Sequence, residues 1–149
     1  MADFVFNNVK GEFKTMINNL GAANDALLIV FLETTGLEAD ATLKDYDALD
    51  ALLAGASNEQ TNQARKVITT LVTSVVDDTN DKFWIDIADQ VYTALNGNAI
   101  SKTLFCYDGD TTTGTDANIR PVTGHDTVFD PDGTDVTLTI NVLGLCAAL

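Results

Sequence analysis

Two runs of carboxylates are the first chemistry the sequence offers. Asp77, Asp78, Asn80 and Asp81 cluster in one short segment, and Asp108, Asp110 and Asp116 flank a stretch rich in Gly and Thr. Hard cations such as calcium take several oxygen ligands, and loops of this kind can supply them. Neither run matches the helix–loop–helix calcium signature, which needs a Gly at its sixth position and a distal Glu. Turn chemistry accounts for the same residues, because Asp and Asn hydrogen-bond their own backbone. No metal and no cofactor is therefore expected. His125 is the only histidine and Asp126 follows it, but adjacency in sequence does not orient an imidazole. No Gly-x-Ser-x-Gly elbow and no phosphate-cradling loop occurs, and neither Cys106 nor Cys146 has a catalytic or metal-site context. In so acidic a chain a pair of carboxylates carries almost no information. The reading is of a protein with no catalytic residue and no enzyme activity. Arg65-Lys66 is the one adjacent basic pair. It either meets an acidic neighbour in an assembly or is a solvated pair ahead of a strand.

Bulk charge narrows the partners. Twenty-two acids against eight bases give 149 residues a formal net charge of −14. Such a surface repels phosphate backbones and anionic lipid, so neither nucleic acid nor a membrane is expected as a partner. The start, MADFVFNNVKGEFK, lacks the basic segment and apolar run of a secretory signal. Synthesis in the cytoplasm and reduced cysteines follow as expectations. The longest apolar run, Ala26 to Leu32, is far short of the roughly twenty residues a bilayer-spanning helix needs.

The elements that would position these residues read as follows. Val9, Phe13, Met16, Ile17 and Leu20 form one apolar stripe at helical spacing, predicting a helix over residues 7–21. Phe4 to Phe6 before it reads as a loose arm or an edge strand. Asp25 to Thr34 holds an unbroken apolar run, so a strand buried on both faces is expected. Leu43, Tyr46, Leu49 and Leu53 predict a second helix, Thr42 to Leu53, with Thr42 and Asp45 at capping-box spacing and Gly55 just past its end. Lys66 to Ile87 reads as a hairpin about the acidic turn Asp77 to Asp81. In its return arm Phe83, Ile85 and Ile87 alternate with Lys82, Trp84 and Asp86, as on a sheet with one apolar face. Further strands are expected at Gln90 to Leu95 and Ser101 to Asp108. Another, Ile119 to Val122, belongs at an edge or an end because Pro121 interrupts it. His125 to Phe129 is expected to pair with Val136 to Val142 across Asp130 to Gly133. The apolar tail Leu143 to Leu149 should be buried. The sum is an α+β single domain, residues 1–149. A helix–strand–helix portion, 1–62, precedes a β-rich portion, 63–149, forming a β-sandwich or small barrel of about five to seven mainly antiparallel strands.

Several segments, taken together, resemble a known group. GLEADATLKDYDALDALLAG, ARK at Ala64 to Lys66, VDDTND at Val76 to Asp81, DIADQ at Asp86 to Gln90, CYD at Cys106 to Asp108, TDANI at Thr115 to Ile119 and PDG at Pro131 to Gly133 are similar, in order, to small virion proteins of tailed bacteriophages. Relatives tend to have Trp where this chain has Tyr92, and two adjacent His where it has Gly124-His125. The resemblance implies a capsid decoration, or cement, protein on the outside of the virion. Its partner would be the major capsid protein, and it would act as a homo-oligomer, a dimer or trimer. An alternative is a binding module of a tail or fibre that engages a host surface ligand. Candidate contact residues are Trp84 and Lys82 on the hairpin's outward face, the pair Arg65 and Lys66, and Phe4 and Phe6 in the N-terminal arm. Apolar anchors set in a polar rim would supply the affinity.

Overall fold

A computed structural model describes residues 3–20, 24–70, 73–79, 82–140 and 146–148. The chain is an α+β fold whose paired strands are antiparallel. The central sheet has five strands. They are β1 (Phe4–Val5), β2 (Ala26–Glu33), β3 (Lys66–Ile68), β7 (Ile100–Asp108) and β8 (Ile119–Phe129), in the order β1-β8-β7-β2-β3. A three-stranded sheet, β10-β5-β4, joins Cys146–Ala148, Lys82–Asp86 and Thr73–Asp77; a two-stranded one pairs β6 (Gln90–Tyr92) with β9 (Val136–Leu138). The edges β1 and β3 do not pair with each other, so the central sheet stays open and no barrel closes. Among the described residues, five of the ten strands are only two or three residues long, too short for periodicity to register, which is why fewer were expected.

The strand β2 behaves as its composition demands. Its residues Ala26 to Leu32 are all buried, and it is paired on both sides, with β7 and with β3. One cluster of buried side chains runs from Phe6 and Val9, through β2 and β7, to Ile85, Ile87, Tyr92 and Leu95. Phe31 packs on Tyr92 and edge-on to Phe129, with ring centroids 4.8 and 6.0 Å away.

Both expected helical regions are helical, and each is broken. The first is a 3-10 turn, Asn7–Val9, then α1 (Phe13–Asn19), with Gly11 between them. The expected stop at Gly21 lies outside the described residues. The second divides into α2 (Asp40–Leu43) and α3 (Leu49–Leu53). Tertiary bonds compete with the helix here. The Lys44 carbonyl accepts from the Asn7 backbone at 2.9 Å, and the Asp47 carbonyl accepts from Asn8 Nδ2 at 3.0 Å. The Thr42 capping box does not form, because Thr42 is already inside α2 and Ala39 precedes it.

Three strand assignments change. Lys66–Ile68 belongs to the central sheet, opposite Leu27 to Ile29, so the hairpin is β4–β5 alone. Its turn residues Asn80 and Asp81 lie outside the described residues. In β5 and just beyond it, Ile85 and Ile87 are buried as the alternation expects. Ile119 to Val122 is the start of the eleven-residue β8 and not a separate strand; it pairs with β7, while β1 reaches only Thr123 and Gly124, so Pro121 lies near a strand end as its ring requires. Pro121 is accommodated because the β7–β8 register shifts beside it, between Phe105 and Cys106. Finally, His125 to Phe129 pairs with β7, and β9 pairs with β6. The loop ahead of β9 bonds to the turn after β6: Gly133 N donates to Leu95 O at 2.8 Å and Leu95 N to Thr134 O at 3.0 Å. Val136, Leu138 and Ile140 are half-buried and Thr137 and Thr139 exposed, as alternation requires. Val142 and residues 143–145 and 149 lie outside the described residues, and the tail's Cys146–Ala148 pairs with β5.

Gly36 fixes the exit from β2. Its φ is +80°, and a Cβ there would collide with the Ala56 carbonyl oxygen. Gly36→Ala is expected to destabilise the fold by about 2 kcal/mol, since left-handed strain and a backbone clash coincide. Urea unfolding of the variant measures it.

Candidate functional site

Charged side chains gather at two places on the central sheet. The first is Arg65, just ahead of β3. Its Nε and Nη2 donate to both Glu59 oxygens, at 2.7 and 2.6 Å, while Nη1 and Nη2 donate to both Asp116 oxygens, at 2.6 and 2.9 Å. A planar guanidinium suits two such forks, and a lysine would not. These bonds hold the Asp116 carboxyl below its ordinary value of 3.8, chiefly through the hydrogen bond from Arg65. They raise the Arg65 guanidinium in turn. Its neighbour Lys66 lies over the Tyr92 ring, 5.0 Å from the centroid. The pair that reads as a solvated or partner-binding unit in sequence is engaged within the fold.

The second place lies where α2, β7 and β8 meet. Lys102 is completely buried, with Nζ 2.9 Å from Asp40 Oδ1 and 2.7 Å from Asp126 Oδ1. The Phe4 ring covers it at 5.0 Å and packs on Phe6, centroid to centroid at 5.1 Å. Gly124 makes this possible: a Cβ there would stand 2.7 Å from the Phe4 ring. Beside it His125 is oriented by Asp3 rather than by its neighbour Asp126. Asp3 Oδ2 lies 3.1 Å from Nδ1, and Nε2 meets the Thr123 hydroxyl at 2.9 Å. Thr123 is buried, while His125 and Asp3 are 23% and 64% exposed.

Each sequence candidate thus has a place. Phe4 is half-buried in β1, an edge strand as one of the two readings expects, and Phe6 is fully buried in the core, which removes it as a contact residue of the free surface. Arg65 and Lys66 make the contacts above. Trp84 and Lys82 belong to β5, opposite Val75 and Asp77, and their side chains lie outside the described residues. Lys102, Asp40 and Glu59 were not singled out from the sequence as a site; Asp116 was weighed as a cation ligand and Asp126 as a neighbour of His125, and neither was expected to meet a basic side chain. One signal was available: Lys102 shares a strand face with Leu104 and Cys106, so an inward lysine had to find carboxylates.

Two loop carboxylates are engaged locally. Asp110 accepts from Thr112 N and Oγ1, and Asp132 from Thr134 N and Oγ1, which lowers both carboxyls. Among the described residues no cluster of His, Cys, Asp or Glu has the geometry for a metal ion. A polar groove of about 450 Å³ runs between the segment Asp47-Ala48 ahead of α3 and the 3-10 turn Asp116–Asn118, bounded by Asn8, Glu12, Asp47 and Arg120. Its cation, Arg120, is paired with Glu12. Cys106 is buried and free, with its thiol pushed up by burial. Among the described residues the exposed large apolar side chains are Val67, Val91 and Val128, on β3, β6 and β8.

Acid sensitivity follows from the lowered carboxyls. A carboxyl whose folded value lies below 3.8 favours folding at pH above 3.8 and loses that contribution as pH falls through the folded value. Stability should therefore decline below about pH 4 by this route, and an Asp116→Asn variant should show a shallower decline in acid titrations followed by circular dichroism. No protein-family model matches the chain, and comparison with curated proteins and with solved structures finds no significant match.

Proposed function

We propose that this protein is a structural component of a phage virion, one that binds the outside of the capsid and stabilises it. The sequence resemblance suggests the role. One observation supports it physically: three of the described cations, Arg65, Lys102 and Arg120, pair with carboxylates of the same chain. With a net charge of −14, the outward surface is left acidic. Such a surface suits docking on a basic patch and repels packaged nucleic acid. Internal clamps also hold the shape rigid, so little ordering cost falls on binding. Exposed valines on three strands are small apolar contacts available to a partner. A homo-oligomer of closed symmetry would match a twofold or threefold position of the capsid lattice.

Copy number tests the reading. Gel densitometry of purified particles should find the protein at a stoichiometry comparable with the major capsid protein. A few copies per particle would point instead to a tail or fibre module, and absence from mature particles would remove both.

A further inference from the structure

We propose that Lys102 and Asp40 join through an intramolecular amide bond, with Asp126 relaying the protons. Three groups of the right kind converge at one point. The amine nitrogen is completely buried, 2.9 Å from Asp40 Oδ1 and 2.7 Å from Asp126 Oδ1. They are held by separate elements: Asp40 opens α2, Lys102 lies in β7, and Asp126 is its cross-strand partner in β8. The Phe4 ring closes over the nitrogen, seated against Gly124 and Phe6.

Condensation of an amine with a carboxylic acid is unfavourable in dilute water. Oriented groups change the balance, because intramolecular reactions reach effective concentrations of about 10⁵–10⁸ M. The step balances without any co-reactant. One ammonium proton passes through the Asp126 carboxylate to an oxygen of Asp40. The neutral Lys102 nitrogen adds to Asp40 Cγ, forming the C–N bond. Asp126 then takes a second proton from that nitrogen and delivers it to the departing oxygen. The C–O bond breaks and water leaves; nothing is oxidised or reduced. The product ties α2 to the middle of the central sheet and replaces a buried ion pair with a neutral amide, relieving the desolvation that such pairs carry. The proposal does not depend on the capsid reading, since it concerns the isolated chain.

Mass spectrometry of the denatured full chain decides it. The protein should be lighter than its sequence by one water, and proteolysis should yield a branched peptide linking Lys102 to Asp40. Lys102→Arg and Asp40→Ala should restore the full mass. Asp126→Asn should slow the loss of water by about a hundredfold or more, as removal of a proton relay does. Asp-Gly sequences also lose water, by closing a cyclic imide, and Asp108-Gly109 and Asp132-Gly133 are present. Hydroxylamine cleaves that imide and spares the amide. A full sequence mass after prolonged incubation at neutral pH overturns the proposal. So does a loss of water that maps to either Asp-Gly pair or persists in Lys102→Arg.

Discussion

Phe6→Ala is expected to lower the unfolding free energy by about 4 kcal/mol, as truncation of a fully buried aromatic does. For a chain of this length that corresponds to a fall in melting temperature of roughly 10 °C. The size of the effect reflects how much the residue holds. Its ring supports Phe4, its backbone N–H donates to the Val122 carbonyl at 3.0 Å, and it packs in the same core as Val9 and Leu43. Calorimetry of the isolated protein measures it. An unchanged melting temperature would return Phe6 to the surface and to the role of a partner contact.

Arg65→Met should cost about 3 kcal/mol. Removing one partner from a largely buried ion network leaves the others uncompensated. Here two carboxylates lose their cation, with Glu59 13% and Asp116 33% exposed. The estimate sits at the low end of the range for buried pairs because Asp116 reaches water. Arg65→Lys should recover little of the loss, since an ammonium cannot serve two forks at once. Urea midpoints of the two variants test this. A normal midpoint with weakened particle binding would instead make Arg65 a contact residue.

The two effects mark where sequence reasoning was strong and where it stopped. Ala26 to Leu32 could be read directly, because an apolar run without alternation has no wet face. Ile85 and Ile87 were legible for the opposite reason, a clean alternation. The long β8 was not, since Pro121 marks a strand end and no local signal joins Ile119–Val122 to His125–Phe129. The partners of β3 and β9 were hidden too: β3 reads as part of the hairpin's first arm but pairs back to β2 across α2 and α3, and β9 pairs with β6 instead of the strand before it. The break between α2 and α3 depends on Asn7 and Asn8, which no local signal connects to Lys44 and Asp47. For the candidate site, Arg65 drew notice as a basic pair, but its partners Glu59 and Asp116 are two acids among twenty-two. Charge counting could not choose them. Lys102 could have been found by asking which polar residue shares a face with Leu104 and Cys106.

A ligand that binds only the assembled state stabilises that state. The central claim is therefore tested most directly by heating phage heads that lack this protein, with and without the purified protein at saturation. Capsid attachment predicts a higher disruption temperature when the protein is present, and a dependence on its concentration. Identical disruption temperatures, with no protein sedimenting alongside the heads, would contradict the account.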